Sequence, residues 1–316
     1  MSRTQWRAGM AVVLLLAGIP WLGLKPDAVL LYNLILVYAI FAIGFDLAFG
    51  LTGMLSLGHA AMFGTGGYAL ALLTIKLGWP FEAALLAAGA AGAAVAAIIG
   101  YFALRQTGIF FSLTTLAFAQ LLNIMANTKL RAYTGGVDGI SGVPRPSLFG
   151  IDFTQDQYFS SYIVVVFAAL LGASGLLRSS PLGQILKGIK QNEVRIQQLG
   201  WNARHYKLLI FMISGLYSGI SGALVASLLF FVSPQMLHWT TSGDVLIFTL
   251  LGGVGTLWGP VAGVAIFEVL KDVLGQLTQH WYGILGLVFV LFTIILPTGA
   301  IGLMGMLPLR ASQKAK

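Results

Sequence analysis

Ten apolar runs divide the chain: Gly9 to Leu24, Ala28 to Gly50, Leu55 to Leu77, Phe81 to Leu104, Ile109 to Asn127, Tyr158 to Leu177, Tyr206 to Val232, Asp244 to Leu257, Gly259 to Leu274 and Tyr282 to Leu303. A membrane-spanning helix needs about 20 apolar residues, and most of these runs supply them. The eighth and ninth are short and carry Gly252, Gly253, Gly255, Gly259 and Pro260, so they form either two crossings or one re-entrant pair. The first run follows Arg3 and Arg7 but ends in Pro20, Trp21 and Lys25 rather than at a small-residue cleavage site. It therefore reads as a retained helix.

Charge supports the same reading. Only 9% of the 316 residues are charged, whereas a soluble domain uses about 25% to cover its surface. That excludes a soluble enzyme, a nucleic-acid binder and a disordered chain. The net charge of +8 is a topology signal. With a cytoplasmic N-terminus and ten crossings, 12 Lys and Arg fall inside, among them Arg105, Arg178, Lys187, Lys190, Arg195, Arg204 and Lys207. Six fall outside: Lys25, Lys76, Lys129, Arg131, Arg145 and Lys271. The expected fold is an all-α, polytopic helical membrane protein of about ten transmembrane helices, forming a single transmembrane domain over residues 1–316.

Two connections are long. Residues 128–157, on the outside, hold Thr134-Gly-Gly-Val-Asp-Gly-Ile-Ser-Gly-Val-Pro144, whose glycines permit successive tight turns. Residues 178–205, on the inside, place Leu182, Ile185, Leu186, Ile189, Ile196 and Leu199 at helical spacing, with Ser180-Pro181 as a start signal and Gly200 as a stop. This predicts one amphipathic cytoplasmic helix from Leu182 to Leu199.

Catalytic motifs are sparse. No lysine follows a glycine, so the chain lacks the phosphate loop of nucleotide-binding proteins. Without cysteine, and with His59, His205, His238 and His280 at no metal-ligand spacing, it predicts no metal centre. Gly219-Ile-Ser-Gly222 resembles the nucleophile of rhomboid-type intramembrane proteases, with His238 or His280 as base; the alternative is a ridge of Gly215, Gly219 and Gly222 for close helix packing. Acids within apolar runs cost about 2.5–3.5 kcal/mol or more to insert. Asp244 reads as a helix N-terminal cap, Glu268 as a partner of Lys271 or a pathway residue, and Asp46 as bonded to the glycine-rich turn after it or facing a pathway. An ion-coupled transporter titrating Asp46 or Glu268 is an alternative. The turn, from Gly50 to Tyr68, has glycines at 50, 53, 58, 64, 66 and 67 and polar groups at Ser56, His59, Thr65 and Tyr68. Such a break in a span is tolerated where protein or a water-filled cavity lines it.

Here the chain resembles the permease subunits of branched-chain amino acid ABC importers, the LivM and LivH type. The resemblance rests on Gly44, Gly50, Thr52, Gly53, Ser56-Leu-Gly-His-Ala60, Phe63, Gly64, Gly66 and Tyr68. It extends through Gly108 to Ala119, Thr134 to Pro144, Ser180 to Glu193 and Leu251-Gly-Gly-Val-Gly-Thr-Leu-Trp-Gly-Pro260, and the outer-loop motif is nearer LivM. Asp46 stands where the family usually has asparagine, and Met54 where it often has glutamine. Related importers carry urea, short amides, other amino acids or aromatic acids, so the substrate stays open.

The resemblance implies an inner-membrane importer subunit without cofactors of its own. A second, LivH-like permease would complete the heterodimer, two cytoplasmic ATPases would bind ATP and magnesium, and a periplasmic binding protein would deliver substrate. It implies a substrate pathway past Asp46, Thr52, Gly53, Ser56, His59, Tyr68 and Glu268, and docking of the binding protein at Asp138 and Ser141. The inner helix becomes a coupling helix, with Leu186 and Ile189 in a groove on the ATPase and Asn192 and Glu193 fixing its register. The alternative lays that helix on anionic lipid through Lys187 and Lys190.

Overall fold

A computed structural model describes residues 16, 18–23, 25–148, 151–153, 155–277, 280–295 and 299–300. Most of the first apolar run and the end of the tenth lie outside the described residues. The main helices are α1 (Pro26–Thr52), α2 (His59–Ala71), α3 (Phe81–Ala103), α4 (Ile109–Asn127), α5 (Asp156–Ser179), α6 (Pro181–Gln191), α7 (Glu193–Gln198), α8 (Ala203–Leu228), α9 (Trp239–Gly252), α10 (Gly259–Leu277) and α11 (Trp281–Ile295). The all-α, polytopic expectation holds.

Among the described residues, five helices are long and apolar enough to cross a membrane: α1, α3, α4, α5 and α8. Five of the ten expected crossings are thus matched among the described residues, and local chemistry sets several of the others apart. The third run is helical only from His59, because residues 53–58 leave helical geometry after Gly53 terminates α1 at φ 78°. Helix α9 has 14 residues; at 1.5 Å per residue it rises about 21 Å, short of the ~30 Å hydrocarbon core. It starts at Trp239 rather than Asp244, so Asp244 sits inside the helix and is not its cap; His238 accepts from Thr240 N–H there. Helix α10 carries Glu268, Lys271 and Asp272 in its outer half.

The centre is built on glycine. Helix α8 crosses α2 and α3 so closely that a Cβ at Gly219 would meet the Ala88 carbonyl oxygen at 2.5 Å, and one at Gly222 would collide with the Phe63 carbonyl. Overpacking costs about 1–3 kcal/mol where the backbone can yield. The ridge of Gly215, Gly219 and Gly222 is thus a packing surface, as its spacing allows. Phe41, Phe45, Phe63 and Phe211 fill the space beside it.

Connections segregate to two ends. At one end, residues 135–142 form short turns with positive φ at Gly135, Gly136, Gly139 and Gly142, and Ile140–Ser141 pairs antiparallel with Phe231–Val232 after α8. At the other end lie the breaks at 53–58, 104–108 and 253–258 and the basic segment 178–205. The positive-inside rule makes the basic end cytoplasmic.

The predicted single helix from Leu182 to Leu199 is corrected to two. Ser180 caps α6, with its hydroxyl accepting from Gly183 N–H at 3.2 Å, and Pro181 follows at the first helical position. At Asn192 the backbone extends (φ −160°, ψ 98°), and the Asn192 side chain caps α7 by accepting from Arg195 N–H at 2.9 Å. An asparagine that satisfies the next helix's free N–H stabilises a break as well as a start.

Candidate functional site

The inner end of α1 is tied to three other elements. Asp46 is fully buried, and its Oδ2 accepts from Arg178 Nη2 at 2.6 Å at the end of α5. Its Oδ1 accepts from Gly255 N–H at 2.8 Å, in the α9–α10 connection. Arg178 Nη1 donates in turn to the Gly255 carbonyl at 3.0 Å, which closes a ring of three residues. From α6, Lys190 Nζ donates to the Gly50 carbonyl at 2.9 Å. A buried charge pair holds only where its partners satisfy it, and here both carboxylate oxygens are engaged. Gly50 leaves space for that carboxylate, which a Cβ would meet at 2.5 Å.

Asp46 is thus bonded to Arg178 and Gly255, and not to the turn that follows it as one expectation had it. Met54, the other departure from the family pattern, is 6% exposed and lines an inner cavity.

Beside the ring, a cavity of about 710 Å³ opens between the end of α1, the α3–α4 connection and the α6–α7 elbow. Thr52, Gly53, Gln106, Thr107, Asn192 and Glu193 line it. Glu193 pairs with Lys207 of α8, so the elbow is fastened to the bundle on both sides of Asn192. Leu186 is 0% exposed and Ile189 3%, both packed in the chain's own core. That corrects their expected place in a partner's groove: the stripe faces inward. The apolar groups this segment does present are Val194, Leu199 and Trp201.

The remaining candidates lie apart. Ser56 is buried and its hydroxyl accepts from Gly58 N–H. His59 is buried between the rings of Phe45 and Phe211, with Nε2 2.6 Å from Ser214 Oγ. Tyr68 is buried further along α2, and Glu268 pairs with Lys271 at 3.4 Å at the outer half of α10. Thr52 and Gly53 share the inner cavity; Ser56 and His59 adjoin it through the chain; Tyr68 and Glu268 do not meet them. Asp138 and Ser141 are exposed on the outer loop.

The protease alternative lacks its geometry. Ser221 is fully buried, and its hydroxyl donates to the Val37 carbonyl at 2.7 Å. His238 Nδ1 is 2.9 Å from Thr240 Oγ1. The titrating role offered for Asp46 is likewise filled by Arg178 and Gly255.

The sequence marks Arg178 only as an inner charge and Gly255 only as a helix interruption, and Lys190, offered to anionic lipid in one alternative, bonds the Gly50 carbonyl instead. The signal for Arg178 was a lone cation in the last turn of an apolar run, just before Ser-Pro.

A bundle of apolar helices around glycine contacts, with a broken span and a basic helical elbow at one end, defines a multi-pass membrane transport subunit. The chain belongs to the family described as branched-chain amino acid transport system, permease component, whose profile matches residues 28–295. It is 29% identical over 315 residues to the high-affinity branched-chain amino acid transport system permease protein LivM of Escherichia coli, covering 91% of this chain and 73% of that protein. The LivM protein of Salmonella typhimurium is 28% identical, with 92% and 73% covered. The LivH protein of Escherichia coli is 23% identical over 287 residues, with 84% and 91% covered. No solved structure matches significantly.

Proposed function

We propose that the chain is the LivM-like half of an ABC importer in the bacterial inner membrane that carries branched-chain or related hydrophobic amino acids to the cytoplasm. A LivH-like permease completes the membrane channel, a periplasmic binding protein docks on the outer loop at Asp138 and Ser141, and two cytoplasmic ATPases bind the ATP and magnesium. The subunit itself is not an enzyme and carries no cofactor. Its single permease domain covers residues 1–316, and Thr52, Gly53, Ser56, His59, Tyr68 and Glu268 belong to the substrate route.

The observation that supports this reading best is the connection between the basic elbow and the broken span. Lys190 reaches the Gly50 carbonyl, and Arg178, two residues before the elbow's cap, reaches Asp46. A partner that moves α6 and α7 thereby moves the end of α1. ATPase contact is assigned to Asn192 and Glu193 together with the exposed Val194 and Leu199, while Leu186 and Ile189 hold the elbow from within. The test is co-purification with the second permease and the ATPases, followed by ATP-dependent uptake of radiolabelled leucine, isoleucine and valine into proteoliposomes supplied with the binding protein. A subunit that purifies without an ATPase and transports on an ion gradient overturns the reading.

A further inference from the structure

Helices α1 and α10 enclose a second cavity, of about 500 Å³, near the outer ends of both. That volume lies in the range of small-molecule sites. Its walls divide by chemistry. Leu30, Leu31 and Leu34 give an apolar side from α1, and Glu268, Lys271 and Asp272 give a charged side from α10; Lys25 and Asp27 also contribute. Glu268 is 3% exposed, an expensive position for a carboxylate inside a membrane helix. Its pair with Lys271 Nζ is long, at 3.4 Å, and the lysine side chain remains 40% exposed. Asp272 is already engaged by the Gln276 amide at 3.1 Å. Glu268 and Lys271 are thus an anion and a cation side by side, held loosely and facing an apolar wall.

We propose that this cavity binds a zwitterionic α-amino acid with an apolar side chain on its way in from the outer surface. The ligand's ammonium replaces Lys271 as the donor to Glu268, its carboxylate accepts from Lys271, and its side chain lies against Leu30, Leu31 and Leu34. Each charge of the protein then keeps an opposite charge as partner whether the cavity is filled or empty, so loading exposes no bare ion. The inference rests on the functional reading above and gives the membrane subunit, besides the binding protein, a chemical filter for the cargo.

The test uses the full complex in proteoliposomes, with leucine as probe and two readouts, uptake and ATP hydrolysis stimulated by the binding protein. Glu268→Gln and Lys271→Gln should each lower leucine uptake about tenfold, the scale of one lost charge-assisted hydrogen bond, while stimulated hydrolysis stays near the unaltered rate. The exchange variant Glu268→Lys with Lys271→Glu restores an ion pair but reverses its polarity against the leucine wall. An L-amino acid then cannot place all three groups, so uptake should stay low. Normal uptake by either single variant, recovery of uptake in the exchange variant, or joint loss of uptake and hydrolysis in the single variants overturns the proposal; the latter two show a pair that only holds helices. An unaltered complex that takes up no amino acid overturns the functional reading instead, and this inference with it.

Discussion

Asp46 and Arg178, 132 residues apart, hold both backbone polar groups of one residue: the Asp46 carboxylate accepts from the Gly255 N–H while the Arg178 guanidinium donates to the Gly255 carbonyl. Removing one partner of such a buried pair costs about 3–5 kcal/mol. Arg178→Ala should therefore lower the yield and melting temperature of the purified complex sharply. Asp46→Asn keeps an acceptor for Gly255 and should lose less. Because both Asp46 carboxylate oxygens are held by Arg178 and Gly255, the order of preference in an amino-acid uptake panel should be the same in Asp46→Asn as in the unaltered protein. A changed order returns Asp46 to the route.

The elbow offers a sharper comparison. Glu193→Lys sets two cations together where Glu193 now meets Lys207, and should leave ATP hydrolysis running without uptake, or release the ATPase. Val194→Asp and Leu199→Asp alter exposed side chains and should weaken ATPase co-purification without changing the subunit's own stability. Leu186→Ala, in contrast, opens a void in the core and should cost about 2–5 kcal/mol, read as a lower melting temperature. If Leu186→Ala leaves stability intact and releases the ATPase, the inward-facing stripe is wrong.

Gly53 ends α1 in the left-handed region at φ 78°, which costs other residues about 1–2 kcal/mol. Its Cβ position is otherwise open, with Lys190 Cγ nearest at 3.8 Å. Gly53→Leu should consequently assemble with its partners, yet stop uptake by filling the inner cavity. Unimpaired transport would assign the break to packing alone.

The chain has no cysteine, so single cysteines report sidedness without background. Ser141→Cys should react with an impermeant thiol reagent from outside, and Gln191→Cys only after the inner face is opened. Labelling of both from one side contradicts the assignment of the two ends.

What the sequence made legible follows from the range of the interactions. The Gly215, Gly219 and Gly222 ridge repeats within one helix and shows as a local pattern, as do the glycine-rich break after Gly50 and the cap at Ser180. The stripe of Leu186 and Ile189 was equally visible, but periodicity tells that a face is buried and not what buries it. Asn192 was misplaced because its polarity suited a helix surface as well as a cap. The partners of Asp46 and His59 were hidden for a plainer reason: Arg178 and Ser214 lie 132 and 155 residues away, and no local spacing encodes such a meeting.

The glycine crossing of α8 with α2 and α3 sets how this subunit can move. Where main chain rests on main chain, there is no long side chain to swing into another rotamer and absorb a shift, and packed interfaces switch between discrete arrangements instead of sliding. These three helices should therefore move as one body. In the proposed importer, a pull from the cytoplasmic face would then be taken up by the end of α1, the elbow and the α9–α10 hairpin, a minority of the chain.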